Sequence, residues 1–243
     1  MTVKPYTDFA AAYDQVLKHV DYDRWYHYLR ELMLRYCQNP VLVLELGCGT
    51  GKFGARFARD DFVVYGMDIS LPMLRVAAAR AYGNFHLFCG DMRAFRLKKR
   101  FDFIFCVHDT LNYLLKYADI RMVLRSVRGV MHEKSIFMFD VTTEHNIRHF
   151  FDKRVSSYRV RDMSVEWTNR YDPLKRIVSS KLTFHKPDGS VTRETHVQRI
   201  YSTREIRKLC ESEGMAIVDI FSDYSFSPPL DNTVMINFVA MKA

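Results

Sequence analysis

The chain has no disulfide pattern. Its five cysteines, at positions 37, 48, 89, 106 and 210, are odd in number, contain no C-x-x-C pair and stand mostly among apolar neighbours. That excludes a disulfide-stapled secreted scaffold and predicts reduced, buried thiols in the cytoplasm. No Cys/His grouping has metal-ligand spacing, so no metal site is expected. The first residues, Met1-Thr2-Val3-Lys4-Pro5-Tyr6, contain no apolar signal core. No run approaches the roughly 18 to 20 apolar residues that span a bilayer, so no membrane association is expected. Repeats and low-complexity linkers are also missing. What remains is a chain of 243 residues, long enough to bury a full core.

Charge is unbalanced, with a net +8. This admits an anionic small molecule or RNA as partner, but the excess is spread along the chain and reads more simply as a solvated basic surface. Residues 152 to 200 hold eleven Lys and Arg against six Asp and Glu, a net +5.

The most informative stretch runs from Val41 to Phe53, VLVLELGCGTGKF. A short run of β-branched residues and leucines suits a parallel strand buried on both faces. Gly47, Gly49 and Gly51 then let a ligand lie against the backbone where strand meets helix, the ligand position of an open α/β sheet. The dinucleotide fingerprint needs glycine at 52, where Lys52 stands. A P-loop needs another residue before its G-K and Ser or Thr in place of Phe53. Both phosphate-binding readings therefore fail.

E-L-G-C-G-T-G resembles the first motif of class I S-adenosylmethionine (SAM)-dependent methyltransferases, and the rest of the chain is consistent with it. Residues 62 to 67 read as a second strand ending at Asp68, where a carboxylate can accept hydrogen bonds from both ribose hydroxyls. Ser70 can cap a helix that starts near Leu71-Pro72 and ends at Gly83. Residues 85 to 89 read as a third strand, followed by Gly90-Asp91-Met92-Arg93; the resemblance gives Asp91 and Met92 to the adenine amino group and ring. Residues 101 to 107 form a fourth strand running into His108-Asp109-Thr110-Leu111-Asn112-Tyr113. This position lacks the N-P-P-Y-like motif of amino-group DNA and protein-glutamine methyltransferases, and no P-C nucleophile of cytosine C5 enzymes is present.

Upstream, residues 8 to 37 read as helical, with Trp25, Tyr28, Leu29, Leu32 and Tyr36 along one face. Downstream, a helix is expected over 117 to 131, a fifth strand over 136 to 140, a capped helix over 202 to 214, and final strands over 216 to 221 and 234 to 241. Between them, residues 152 to 200 alternate as antiparallel strands with a hairpin turn at Pro187-Asp188-Gly189-Ser190.

The series Y-D, D-Y-x-x-W, ELGCGTG, MDIS, GDMR, DTLNYL, FDV and ETHxQRxY resembles, over nearly the whole chain, a group of bacterial small-molecule methyltransferases related to the glycine and amino-sugar N-methyltransferase branch. The resemblance implies an α/β, Rossmann-like class I sheet of order 3-2-1-4-5-7-6 with the last strand antiparallel. Residues 1–151 and 201–243 would form the SAM-binding domain and residues 152–200 an inserted antiparallel β lid that selects the substrate.

It further implies SAM as cofactor, with Gly47, Cys48 and Gly49 at its amino-acid end, Glu45 orienting its ammonium and Asp68 on the ribose. Met73, Asp91 and Met92 would lie at the adenine, Ile69 and Val107 would also contact the cofactor, and Tyr13 and Trp25 would belong to the segment that closes over it. The expected reaction is methyl transfer to N or O of a small polar molecule. RNA methylation and non-catalytic SAM binding are the rival readings. Tyr13, His108 and His196 are the candidate proton acceptors, with Glu194 beside His196. Because Glu194 and His196 alternate along a strand, a solvent-facing position is the competing expectation for both.

Overall fold

The computed structural model describes all 243 residues. Two helices, α1 (Phe9–Val16) and α2 (Tyr22–Tyr36), lead into β1 (Leu42–Leu46), α3 (Lys52–Arg59), β2 (Val63–Asp68), α4 (Leu71–Ala78), β3 (Phe85–Cys89), β4 (Phe101–Cys106), α5 (Tyr117–Gly129) and β5 (Met131–Thr142). A single turn, α6 (Glu144–Asn146), precedes β6 (Val155–Val160), β7 (Met163–Asp172), β8 (Ile177–His185) and β9 (Val191–Arg199). The chain closes with α7 (Thr203–Ser212), β10 (Met215–Ser222) and β11 (Met235–Lys242).

Seven strands form one sheet in the order β10-β11-β5-β4-β1-β2-β3, with only β11 running against the rest. Numbered within that sheet, this is the expected 3-2-1-4-5-7-6. The strand order reverses between β1 and β4, where Leu44 pairs with Tyr65 on one side and Ile104 on the other. A crevice therefore opens beyond the carboxyl ends of β1 and β4. Two apolar layers cover the sheet. Leu29, Leu32, Met33 and Phe57 of α2 and α3 pack on one face, and Ile120, Val123, Leu124, Ile206 and Leu209 of α5 and α7 on the other. The remaining strands form a separate antiparallel sheet, β6-β7-β8-β9, whose β8–β9 turn is closed by Lys186 N donating to Ser190 O.

Three boundaries differ from the sequence reading. The long N-terminal helix is two helices, because the Asp21 carboxylate accepts from Arg24 N at 2.9 Å and starts a new one. α1 packs its Phe9, Ala12 and Val16 on Val165, Leu182 and Phe184 of the second sheet, whereas α2 packs on the first. The helix capped by Ser70 stops at Ala78 rather than running to Gly83. From Ala79 its amides reach back only three residues, and Arg80 turns inward to donate to Thr50 O at 2.6 Å. β5 begins five residues earlier than its apolar run, since the exposed Glu133 and Lys134 hide the strand pattern. α7 carries a complete capping box between Ser202 and Glu205.

Candidate functional site

Glycine makes the turn after β1 possible. Gly47, Gly49 and Gly51 have φ of +68°, +53° and +76°, in the left-handed region closed to most side chains. A Cβ on Gly47 would lie 2.5 Å from Thr110 Cγ2, so β1 and the segment after β4 touch through the missing side chain. Asp14 of α1 ties this turn to its surroundings, accepting from Thr50 Oγ1 at 2.9 Å and pairing with Arg80 and, at 3.7 Å, Lys52.

A cavity of about 930 Å³ opens over the turn, and twelve of the fourteen residues expected at the site line it. Glu45 lies at its floor, buried, accepting from Gly54 N at 2.9 Å. Burial pushes its carboxyl up to about 8; the Gly54 amide opposes the shift and the nearby Asp68 adds to it. Asp68, at the end of β2, accepts from Gly49 N and Ser70 N, both at 2.8 Å, one on each oxygen. Each oxygen keeps a lone pair for a further donor. Burial raises this carboxyl too, against its backbone hydrogen bonds. Asp91 is held by Arg93 through both oxygens, which lowers its pKa. Ile69, Met73, Met92 and Val107 supply apolar wall, and Cys48 is buried in the turn.

The segment after β4 has an unusual backbone. His108 and Asp109 both have left-handed φ, +61° and +52°, which costs a non-glycine residue about 1–3 kcal/mol each. Asp140 at the end of β5 holds them there: its two oxygens accept from His108 N and Asp109 N, both at 2.7 Å, and Tyr224 donates to it as well. The turn presents His108 to the cavity, with Nδ1 3.2 Å from Tyr13 Oη. Burial, helped by the charges of His19 and Lys52, pushes the imidazole down to about 4, so it is neutral at pH 7. Burial raises the Tyr13 hydroxyl well above its usual value.

Trp25 and His196 do not line the cavity. Trp25 stacks on Tyr224 with ring centroids 3.8 Å apart and meets the edge of His108 at 5.3 Å, so it backs the wall. His196 and Glu194 are buried rather than solvent-facing, because the N-terminal residues lie across them. Residues 1 to 3 run along β9, with Val3 N donating to Arg193 O at 2.9 Å, and Glu194 accepts from the amides of Tyr6, Asp8 and Phe9. Tyr6 thereby reaches the cavity, where it meets Tyr113, yet the sequence points to neither. One is in a segment without periodicity and the other in a short 3-10 turn, Thr110–Tyr113.

The fit of a SAM-like molecule rests on this geometry. A side-chain-free turn, a carboxyl below it and a carboxylate with free lone pairs at the next strand share one cavity. The sequence pattern of the methyltransferase domain family matches residues 43–134, which span β1 to the start of β5. Putative methyltransferase GWCH70_2453 of Geobacillus sp. (strain WCH70) is 27% identical over 245 residues, covering 98% of this chain and 99% of the relative. The dTDP-3-amino-3,6-dideoxy-alpha-D-glucopyranose N,N-dimethyltransferase of Streptomyces fradiae is 31% identical over 129 residues, 51% of this chain and 50% of that protein. Among solved structures, an S-adenosylmethionine-dependent methyltransferase from Clostridium acetobutylicum has the same fold with a TM-score of 0.84 at 24% identity, covering 98% of this chain and 99% of that one. Strand order and glycine turn match the class I methyltransferase fold, residues 43–134 match the methyltransferase domain, and together with the full-length relatives these observations support a SAM-dependent methyltransferase.

Proposed function

We propose that this methyltransferase acts on the nitrogen of a small polar amine bound in the aromatic part of the cavity. One observation carries the reading: the cavity that holds the glycine turn also holds Tyr6, Tyr13, Tyr22, Tyr113 and His108, with neighbouring ring centroids 5.8–6.2 Å apart. Its volume of about 930 Å³ is near the upper end of the range of about 300–1,000 Å³ for pockets that enclose one drug-sized ligand, leaving room for an acceptor beside a cofactor. Neutral phenols and a neutral imidazole suit an amine that must lose its proton, and their π faces attract a cation. The amino-sugar N,N-dimethyltransferase relative supports nitrogen over oxygen.

In this reading Gly47, Cys48 and Gly49 hold the amino-acid end of SAM through their backbone, and Glu45 receives the ammonium. Asp68 takes the ribose hydroxyls. Ile69, Met73 and Met92 enclose the adenine, with Asp91 or the Met92 amide at its edge and Val107 beside it. When bound, SAM supplies a methyl group already activated by its sulfonium. The chain's own contribution is alignment, worth up to about 7–11 kcal/mol, together with exclusion of water. Tyr13 and His108 border the acceptor, Trp25 fixes the His108 ring, and the β6–β9 sheet with residues 1 to 16 forms a cover that selects what enters.

The test is a screen of amines, including dTDP-3-amino-3,6-dideoxyglucose, with SAM labelled in its methyl group, followed by mass spectrometric location of the label. Label on nitrogen supports the proposal; label confined to oxygen or to RNA overturns it, and SAM binding without transfer to any acceptor would favour a non-catalytic role.

A further inference from the structure

The buried Glu194 fixes the direction of a hydrogen-bonded chain that ends in the cavity. Its carboxylate accepts from Tyr6 N at 2.7 Å, Asp8 N at 2.6 Å, Phe9 N at 3.0 Å and His196 Nε2 at 3.0 Å. With its lone pairs taken by four partners, of which three are backbone N–H groups, it needs the fourth, His196 Nε2, to carry a proton as well. A neutral imidazole then leaves Nδ1 as an acceptor, so the Tyr113 hydroxyl, 3.0 Å away, donates to it. Tyr113 Oη in turn accepts from the Tyr6 hydroxyl at 2.7 Å. Every donor is thereby assigned, and the free lone pairs at the end of the chain belong to Tyr6, which lines the cavity.

We propose that Tyr6, Tyr113, His196 and Glu194 form the proton acceptor of the methyl transfer, with Tyr6 as the catalytic residue that touches the substrate. This rests on the amine reading given above, although an acceptor hydroxyl would shed its proton by the same route. The acceptor ammonium passes a proton to Tyr6 Oη while the Tyr6 proton moves to Tyr113 Oη and the Tyr113 proton to His196 Nδ1. The nitrogen keeps the N–H electron pair, which forms the new C–N bond as the C–S pair leaves with sulfur. The proton ends on His196 as an imidazolium whose two N–H groups are paired, with Glu194 compensating its charge.

Two further observations support this assignment over His108, the imidazole that lines the cavity. His108 has no carboxylate on its ring, and with its pKa pushed down to about 4 it holds a proton poorly at neutral pH. Tyr6 has φ of +60°, a costly conformation for a tyrosine, and its amide is fixed by the same Glu194. Glu194 thus seats Tyr6 and balances His196 at once. Burial raises both phenols, so they stay neutral and transmit protons rather than store charge.

Tyr6→Phe and Tyr113→Phe keep both rings while breaking the chain at different links. In protein labelled with ¹⁵N histidine, His196 should be the Nε2–H tautomer in the wild type, and Tyr113→Phe should move its Nδ1 resonance downfield toward the value of an unbonded imidazole; His196→Gln identifies the signal. With dTDP-3-amino-3,6-dideoxyglucose as the amine probe, Tyr6→Phe should lower kcat by about 100-fold, the low end for general acid–base catalysis, with KM and SAM affinity little changed. A His196 Nδ1–H tautomer, or wild-type turnover in both Phe variants, would overturn the relay. If the wild type leaves the probe unmethylated, that counts against the amine reading, and the tautomer measurement decides the relay by itself.

Discussion

If Glu45 receives the SAM ammonium, as proposed, its raised pKa links proton release to SAM binding. In the free protein its carboxyl, pushed up to about 8 chiefly by burial, is neutral at pH 6, where about 99 of 100 molecules hold the proton. A SAM α-amino group, with an ordinary pKa of about 7.7–8.0, is fully charged at that pH. An ammonium beside Glu45 favours the carboxylate, so the carboxyl proton must leave on binding. Close to one proton should therefore be released per SAM bound at pH 6, and affinity should rise about tenfold per pH unit from 6 to 7. Calorimetric titrations in buffers of different ionisation enthalpy read the proton count directly from the slope of apparent enthalpy against buffer enthalpy. Glu45→Gln keeps an oxygen for the Gly54 amide and should release none. The same shift bears on stability. The folded chain holds this proton above pH 4.5 where the unfolded chain loses it, so between pH 4.5 and about 8 the contribution of Glu45 falls as pH rises, by up to about 5 kcal/mol. Glu45→Gln should accordingly melt higher than the wild type at pH 8.5. Tight wild-type SAM binding at pH 6 with no proton released would refute the assignment of Glu45 to the ammonium.

Asp68→Ala should weaken SAM binding by about 1–3 kcal/mol through lost ribose hydrogen bonds, and should also lower Tm because Gly49 N and Ser70 N lose their acceptor; unchanged affinity by calorimetry would remove the ribose role. Gly47→Ala puts a Cβ 2.5 Å from Thr110 Cγ2 at a φ of +68°, so it should lower stability by about 1–3 kcal/mol in a urea titration and impair SAM binding. A variant with wild-type stability and affinity would show that the turn tolerates a side chain.

Where the cavity is built from neighbours in sequence, the residues alone are sufficient to place them together. β1, the glycine turn and the acid ending β2 are consecutive pieces of one βαβ unit, and buried apolar runs, left-handed glycines and a fixed crossover length place Glu45, Gly47 and Asp68 together before any tertiary contact is known. The sheet order followed from the resemblance those residues carry. The break between α1 and α2 was less legible, because Asp21 interrupts a continuous apolar stripe whose two halves serve different sheets. The chemistry of His108 is visible in the sequence, but its left-handed turn depends on Asp140, 32 positions away. The sequence pattern puts Trp25 over the cofactor, whereas packing on Tyr224 sets it behind the cavity wall. The relay was least visible of all. Tyr6 and Tyr113 stand 107 positions apart, and Tyr113 and His196 stand 83 apart. Alternation along β9 leaves open which of its faces is covered. Only the N-terminal segment, laid along the edge of the second sheet with three amides on Glu194, turns that face into an interior and brings the Tyr6 phenol against Tyr113 at the cavity.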